Sequence, residues 1–491
     1  MRITNTMTAN RMLLNINRNK AQVDTYYQQM ASGKKIQYAS ENPIIGSRAL
    51  KFRTTVAETQ QYKRNMQQGY SFMEISEIAI SNVNDMMHRV RTLAIQGATG
   101  TLTNEDRQKI GVDIQGLVQE IGLQMNQTYA GRSVFTGART DEPAIFNQPN
   151  SRQFEIEQDF NYFDINEYTA HYKFEPDQAA ELVGVNSIRL AYTGIEDDSI
   201  TITDAAGAPI PVTIRYMDSH EGDRTVGSEA FAYKPKPAES GPPPVPAEAI
   251  YLRDTGELIL HEDIAGALKA EGRNGFKIRY EKEGFQTNDL NPKAYFTCID
   301  LEDTSIPPKV FTMDNQNLQF EFGANIRIDV NSLAKDIYTA EMHADFVEFS
   351  KYIDSANNIS EERDLIDKFS APPYNYTGTE LSNAVTKQLA DETQAARSGL
   401  QDRFQDIIKT IDKYTDNISK QRTDIGSRMS RLELIGNRLD DDYVAYTTLL
   451  SENEDVDYME TIVNLKSMDA IYQAAMNIGA RLIQTSLVDF I

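Results

Sequence analysis

The chain has little of what a metal site or a redox centre needs. Of its 491 residues one is cysteine and none is tryptophan. Cys298 alone can form neither an internal disulfide nor a cysteine-based metal site. The five histidines show no metal-ligand spacing; they are His88, His171, His220, His261 and His343. We therefore expect no cofactor and no metal.

Catalytic signatures are missing as well. His261-Glu262 lacks the second histidine of a zinc-protease helix, and the chain has neither a phosphate-binding loop nor a dinucleotide glycine pattern. The acidic run from Asp440 to Asp442 lacks the spaced oxygen ligands of a calcium loop, so an exposed helix face is the simpler interpretation. An enzyme is thus the weaker hypothesis and a structural protein the stronger one.

Long apolar runs and concentrated positive charge are also absent. No stretch reaches the roughly 20 apolar residues that cross a bilayer, and the N-terminus has no apolar core of signal-peptide length. The net charge is −23, with a net positive stretch over residues 1–140 and a strongly acidic one over 141–380. We therefore expect neither nucleic acid, which needs a concentrated basic face, nor a membrane as a partner.

What the chain does have is helical periodicity near its start. From about residue 5 to 32, apolar residues recur every three or four positions, with the polar Asn19 in register. These apolar residues are Met12, Ile16, Val23, Tyr26 and Met30. A polar residue at such a seam can set the register of paired helices. Gly33 is expected to end this helix, Asn42 to cap the next one, and Pro43 to begin it.

Two long helices are predicted further along the chain, over Pro43 to about Gly97 and over about 380–452. The first has near-strict heptads in its second half, which indicate a coiled-coil-like rod. Their positions are Met73, Ser76, Ile80, Val83, Met87, Val90 and Ala94. The second helix keeps the same kind of spacing, at Phe404, Ile407, Ile411, Tyr414, Ile418 and Ile425.

A shorter helix follows the first rod. Thr103 and Asp106 resemble a capping box at its start, and apolar residues continue in register until it ends before Gly131. Gly131 and Gly137 are expected to permit turns, and Gly33 and Gly97 to permit turns rather than to contact partners.

The tail, residues 456–491, is apolar on more than one side. One stripe consists of Ile462, Leu465, Tyr472, Met476 and Ile483; a second consists of Met468, Ile471, Ala475, Ile478 and Leu482. One partner helix cannot cover both sides, so neighbouring subunits must supply the second cover. The predicted assembly interface therefore joins the apolar stripe of the first helix to the first tail stripe, Leu482 and Phe490.

The centre of the chain has a different pattern. Between about 141 and 330, short alternating runs separated by turn residues predict strands and hairpins. The Pro-rich stretch 234–249 is expected to be an extended linker or loop that could divide this block into two β-rich lobes.

These elements predict an α+β fold. Long antiparallel coiled-coil-like helical rods are formed by both chain ends, with a β-rich region inserted between them. Residues 1–42 and 456–491 would be terminal helices in an inter-subunit coiled coil. Residues 43–140 and 331–455 would form the helical rod domain, and 141–330 a variable outer region.

Four segments carry a resemblance to a known family. They are Met30–Ile36 followed by Glu41-Asn42-Pro43, Arg91–Gly97 with Gly100–Arg107, Gly131–Gly137, and parts of the tail from Asn464 to Ile491. In this order they resemble the bacterial flagellin superfamily, and within it the branch of hook-associated junction proteins. Three positions depart from the family pattern: Glu41-Asn42 replaces the usual Asp-Asp, Ser133 stands where an aromatic is common, and Thr485 replaces a frequent proline.

The resemblance implies a structural protein of the extracellular bacterial flagellum, exported by the flagellar type III apparatus without a cleaved signal peptide. It would form a ring of subunits at the hook–filament junction, with hook-associated protein 1 on the hook side and flagellin on the filament side. The export apparatus and an export chaperone would be further partners. Flagellin itself, or another type III-exported rod or tip protein, is the alternative.

Overall fold

The computed structural model describes residues 5–99, 102–172, 181–204, 206–217, 235–238, 246–270, 275–303, 305, 307–313, 316–357, 362–370 and 376–488. In these ranges, long helices near both ends of the chain flank a β-rich centre. The predicted α+β fold class is therefore confirmed.

The long helices begin and end close to the capping, proline and glycine residues that the sequence analysis named. They are α1 (Asn5–Ser32), α2 (Pro43–Gly97), α3 (Asn104–Met125), α4 (Glu262–Ala270), α5 (Pro292–Tyr295), α6 (Ala334–Ile337), α7 (Ala340–Asn357), α8 (Glu362–Ser370), α9 (Gly378–Glu454) and α10 (Tyr458–Val488). α2 begins and ends at the predicted residues because proline suits the first helical position and glycine suits the end.

The strands are short and belong mostly to the centre. They are β1 (Thr128–Tyr129), β2 (Arg132–Ser133), β3 (Asn150–Phe160), β4 (Asn166–Tyr172), β5 (Glu181–Arg189), β6 (Thr201–Asp204), β7 (Thr213–Met217), β8 (Glu248–Leu252), β9 (Glu257–Leu260), β10 (Phe276–Phe285), β11 (Thr297–Asp300), β12 (Val310–Phe311), β13 (Gln319–Gly323) and β14 (Ile326–Asp329). In β3, alternate residues are buried, which gives the period of two expected for a strand with one covered face.

Two five-stranded sheets make up most of the β-rich centre. One has the order β12-β11-β3-β10-β6, with antiparallel neighbours throughout. The other has the order β4-β5-β9-β8-β7, in which β7 and β8 are parallel. The two remaining pairs are β1-β2 and β13-β14.

The Pro-rich stretch lies in a connection between two strands of one sheet, while the division of the centre into two lobes stays a prediction. β7 precedes the stretch, β8 begins inside it at Glu248, and the two strands are hydrogen-bonded neighbours, with Thr213 opposite Glu248. The stretch therefore belongs to a crossover within one sheet, since parallel neighbours need a long connection. Residues 239–245 of the stretch lie outside the described ranges.

The chain divides into two compact units, and α2 and α9 contribute to both. The first unit comprises Met1–Gln68, Phe320–Ile328 and Ser430–Ile491. The second comprises Gly69–Gln319 and Asp329–Met429.

In the second unit the predicted heptads of α2 form a fully covered core. Its six apolar heptad residues, from Met73 to Ala94, have no exposed side-chain surface. Ser76, the polar member, donates its hydroxyl hydrogen to the Phe72 carbonyl at 3.0 Å. α9 runs antiparallel to α2 here, as the ion pairs of Arg91 with Asp412 and of Arg422 with Glu77 show.

Candidate assembly interface

In the first unit, α1 and α10 pack together as an antiparallel pair. Gly33 lies next to Tyr458 at one end of the pair, and Ile16 lies next to Gly479 further along. A Cβ on Gly479 would approach the Ile16 Cδ1 to 3.2 Å, so the missing side chain lets the helices come close.

The α1 side of the seam contains four of the five apolar residues that the sequence predicts for the interface. Ile16 is buried, while Met12, Val23 and Tyr26 are half-buried together with Asn19. Met30, the fifth, lies towards solvent at 37% exposure. The spacing of three and four residues is that of a helix with one covered face.

The α10 side of the seam draws on both predicted tail stripes. Thr461 and Gly479 are buried, and the half-buried apolar residues are Ile462, Leu465, Met468, Tyr472 and Ala475. At 100° per residue the contact line of α1 runs between the two stripes and takes members from each. Leu482 and Ile483 lie in α10, but their side chains are outside the described set, and Phe490 lies outside the described residues.

The rest of the pair is unusually apolar for a surface that faces solvent. On α10, Met459, Val463 and Ile478 are 74%, 62% and 54% exposed. Further exposed apolar residues of the pair are Met7, Leu13, Leu14, Tyr27, Tyr458, Ile471 and Met476. These exposed residues, which we call the outer face, lie on both helices and include Met476 of the first predicted stripe. This many exposed apolar side chains on one helix pair are typical of an interaction site.

The predicted caps and turns occupy defined positions. The Asn42 Oδ1 accepts from the backbone N–H groups of Ile44 and Ile45 at 3.2 and 3.3 Å, at the start of α2 where Pro43 is the first residue. Thr103 caps α3 and accepts from the Asp106 N–H at 3.2 Å.

The three glycines that the sequence analysis assigns to a helix end or a turn adopt the left-handed backbone conformation. Gly33, Gly131 and Gly137 have φ values of 70°, 78° and 68°. A Cβ at Gly137 would also lie 2.8 Å from the Gln316 carbonyl oxygen, so this turn requires glycine for two reasons.

Asp457 caps the start of α10. Just before it, charged residues at 454–455 contact the loop that follows α1 and form a charged junction with it. Asp457 accepts from the Met459 and Glu460 N–H groups. Lys34 Nζ donates to the Asp455 carboxylate at 2.6 Å. That contact, helped by the Ser451 hydroxyl, holds the pKa of Asp455 below its usual range.

A second ion pair lies beside this junction. The carboxylate of Glu454 is nearly buried and accepts from the Arg53 guanidinium. Sequence reasoning missed the junction, although Lys34-Lys35 and Glu454-Asp455 are complementary charge pairs.

The described parts of the chain do not support a metal site or a membrane-spanning helix. No cluster of three or more His, Cys, Asp or Glu side chains there could hold a metal ion. Asp440, in the acidic run of α9, forms an ion pair with Lys63. Within the same ranges, no helix combines the length and apolar character needed to cross a bilayer.

Comparison with known proteins agrees with this arrangement of helices. Residues 3–140 match the family model described as the bacterial flagellin N-terminal helical region. Residues 408–491 match the bacterial flagellin C-terminal helical region. The chain thus carries both helical ends of a flagellin-type protein, and the resemblance predicted from its motifs is confirmed.

Individual relatives include both filament and junction proteins. Over 111 residues the chain is 32% identical to "Flagellar filament 31.3 kDa core protein" of Treponema maltophilum, covering 22% of this chain and 39% of that protein. Over 153 residues it is 27% identical to "Flagellar hook-associated protein 3" of Escherichia coli (strain K12), covering 31% and 48%. The aligned part is thus less than half of each relative.

Among solved structures, a putative flagellar hook-associated protein from Vibrio parahaemolyticus aligns with 84% of this chain and 100% of its own, at 12% identity and a TM-score of 0.37. FlgL from Xanthomonas campestris aligns with 82% and 99%, at 12% identity and a TM-score of 0.32. These superpositions are too loose to carry an argument about function.

Proposed function

We propose that the protein is a structural subunit of the bacterial flagellum that joins hook to filament through its terminal helices. The observation that carries this proposal is the outer face of the α1–α10 pair, which stays exposed after the two helices have covered each other. Fully burying an apolar side chain of this size contributes about 1.5–3 kcal/mol, so a neighbour that covers several of them gains substantial free energy.

The cover we propose is the same pair in neighbouring subunits. Repeated contacts between different surfaces of identical subunits generate rings or helical arrays rather than closed dimers. The terminal pairs would form the inner part of such an array, with residues 141–330 directed outwards. This role requires no catalytic residue and no cofactor.

The junction position is proposed from the similarity to the hook-associated relative together with the sequence motif at Gly131–Gly137. The partners would be hook-associated protein 1 on one side and flagellin on the other. Before assembly, the export apparatus and an export chaperone would handle the chain, and the final location would be extracellular. The filament-subunit alternative keeps support from the Treponema relative.

A truncation tests whether the tail is the assembly element. A chain ending at Asp457 lacks α10, and we expect its second unit to keep its thermal unfolding temperature, since no described core residue of that unit lies in α10. In cells that lack the full-length gene, this truncated chain should yield hooks without filaments and flagellin in the medium. Normal filaments on such cells would contradict the proposal.

Polymerisation separates the junction role from the filament alternative. Purified filament subunits should form long filaments, whereas a junction protein should stop at rings or small oligomers. Electron microscopy of the full-length chain at high concentration provides the measurement. Long, regular filaments would favour the alternative.

A further inference from the structure

α3 and α7 pack beside each other in the second unit and leave a pocket between them. Gln115 of α3 donates its Nε2–H to the Ser350 Oγ of α7 at 2.6 Å, and both residues line the pocket. The turn at residues 287–289 forms a third wall. The volume of the pocket is about 330 Å³, at the lower end of the roughly 300–1,000 Å³ that is typical of small-molecule sites.

The pocket has buried apolar walls and one side that opens to solvent. Ile114 of α3 and Phe346 and Phe349 of α7 supply buried apolar surface. Gln119 and Thr287 also line the pocket and are exposed, so a small molecule can enter from solvent. Apolar walls with a few polar groups are typical of sites that hold small organic ligands.

Two polar side chains of the lining are buried and contact each other. The Tyr338 Oη and the His343 Nδ1 are 3.3 Å apart. Burial lowers the pKa of His343 to about 4, so its ring is neutral at pH 7. The pair therefore gives the pocket hydrogen-bonding groups without adding a positive charge.

Asp289 belongs to a turn that is held in place. The Asp289 Oδ2 accepts from the Gln286 N–H at 2.8 Å, and the Asn288 N–H donates to the Phe146 carbonyl at 2.8 Å. Asn288 has a φ of 73°, in the left-handed region that asparagine adopts more readily than most residues. Within the described lining, Asp289 supplies the only carboxylate, and no lysine or arginine is present.

Lys282 lies outside the lining but is close enough for its charge to interact with that of Asp289. Burial lowers the pKa of Lys282, and the charge of Asp289 opposes this shift. The Lys282 Nζ donates to the carbonyls of Thr193 and Gly284 at 2.8 and 3.4 Å. A carboxylate has two oxygens that can accept several hydrogen bonds at once, so Asp289 can also accept from a ligand.

We propose that the pocket between α3, α7 and residues 287–289 binds a small organic ammonium ion with an apolar body. The Asp289 carboxylate accepts from the ammonium group, and the apolar walls cover the body. Tyr338, Phe346 and Phe349 supply aromatic surface, which suits a cation next to an apolar group. A neutral molecule of the same shape gains less from Asp289, and an anion is repelled by it. The site does not depend on the proposed function, because a single subunit contains all of it.

An NMR titration of the purified full-length protein with three probes of similar shape tests the site. The probes are phenethylammonium, phenethyl alcohol and phenylacetate, which differ mainly in charge. At low salt we expect the ammonium to bind at least about tenfold more tightly than the other two, and the difference should shrink as salt screens the carboxylate. Equal affinities of the three probes, or no binding of the ammonium, would overturn the proposal.

Matched variants separate the pocket from the acidic surface of the protein. Asp289→Asn keeps an oxygen for the Gln286 N–H but removes the charge, and should weaken phenethylammonium binding about tenfold. Asp416→Asn removes an exposed carboxylate from α9 and should leave binding unchanged. Val118→Phe adds a ring to the pocket lining and should weaken all three probes, whereas Val112→Phe adds it at an exposed position of the same helix and should not.

Thermal unfolding shows whether each variant is folded. Gly122→Ala replaces Val118→Phe if the larger side chain prevents folding, because a Cβ on Gly122 meets Asn288 and Ile145 at ordinary contact distances of 3.7 Å. The pocket is refuted as the site if Asp289→Asn binds phenethylammonium as the unmodified chain does, or if a folded filling variant does. Equal losses in Asp289→Asn and Asp416→Asn would assign the binding to the acidic surface in general.

Discussion

The core of the second unit and the α1–α10 pair are built from the same kind of heptad pattern but are covered to different degrees. In the second unit, α2 and α9 share a core to which α7 also contributes: Phe404 has no exposed surface and meets the Phe349 ring edge-on at a centroid distance of 5.1 Å. In the pair, the two helices cover each other along one line, and of the described apolar side chains only Ile16 is buried.

The difference teaches that periodicity alone does not reveal how much of a helix is covered. A stripe predicts which side chains face a partner, whereas the number of partners decides whether the opposite side stays exposed. Substitutions in the second unit should therefore change the stability of the subunit itself. Substitutions on the outer face should leave the subunit intact and change only what it joins.

The largest effect is expected at Phe404. Phe404→Ala leaves a cavity among fully buried side chains and should lower the free energy of unfolding of the second unit by about 3–5 kcal/mol. Met459→Ala, at a 74% exposed position of α10, should change stability by less than about 0.5 kcal/mol. Calorimetry of both variants checks the contrast, and similar losses in the two would erase the distinction between the regions.

Acid should also affect the second unit before the pair. His343 is buried against Tyr338, and burial lowers its pKa to about 4 from 6.5. The neutral ring stabilises the fold above pH 6.5, and this contribution is lost as the pH falls towards 4, because the unfolded chain takes up a proton first. The loss should reach about 2 kcal/mol at pH 5 relative to pH 8.

Thermal unfolding between pH 8 and pH 5 measures this dependence. His343→Gln removes the titrating group and should flatten the curve for the second unit. The described parts of α1 and α10 contain no histidine, so their amide exchange, corrected for its intrinsic pH dependence, should not follow the same curve. A His343→Gln variant that loses as much stability as the unmodified chain would assign the effect to other groups.

Much of the helical architecture could be predicted from the sequence, because its signals are local. Pro43 and Gly97 mark the ends of α2, and the heptads between them identify the buried face. The tail was harder, since its two stripes lie close together. Only the position of α1 shows that Leu465 and Met468 share a seam whereas Met476 and Ile478 face outwards.

Contacts between distant segments could not be predicted in this way. The parallel pairing of β7 with β8 depends on a long crossover, and the ion pair of Lys34 with Asp455 joins residues 421 positions apart. Alternation and capping describe single segments, and they carry no information about which segments meet.

The seam of the pair should respond modestly to a change in polarity. Asn19 is half-buried among apolar residues, where a polar side chain fixes register at some cost in stability. Asn19→Leu should therefore slow amide exchange in α1 by a factor that corresponds to roughly 1 kcal/mol. The same substitution should weaken register control, which a shift of a cross-link between cysteines introduced at Ile16 and Gly479 would detect. Faster exchange would instead assign Asn19 a stabilising hydrogen bond.

The smallest effect on stability should accompany the clearest effect on assembly. Ile471 and Ile478 lie on the same flank of α10 and are 45% and 54% exposed, so changing both to serine should alter the monomer's stability by less than about 0.5 kcal/mol each. If that flank is covered by a neighbouring pair, the loss of apolar area should abolish filament attachment in cells. Gln473→Ser, at an exposed position on the side of α10 that carries Lys466 and Asp469, is the matched control and should leave attachment intact. Normal attachment of the Ile471→Ser, Ile478→Ser variant would show that this flank remains uncovered in the assembled structure, and the search for the contact would then move to the side that carries Met459 and Val463.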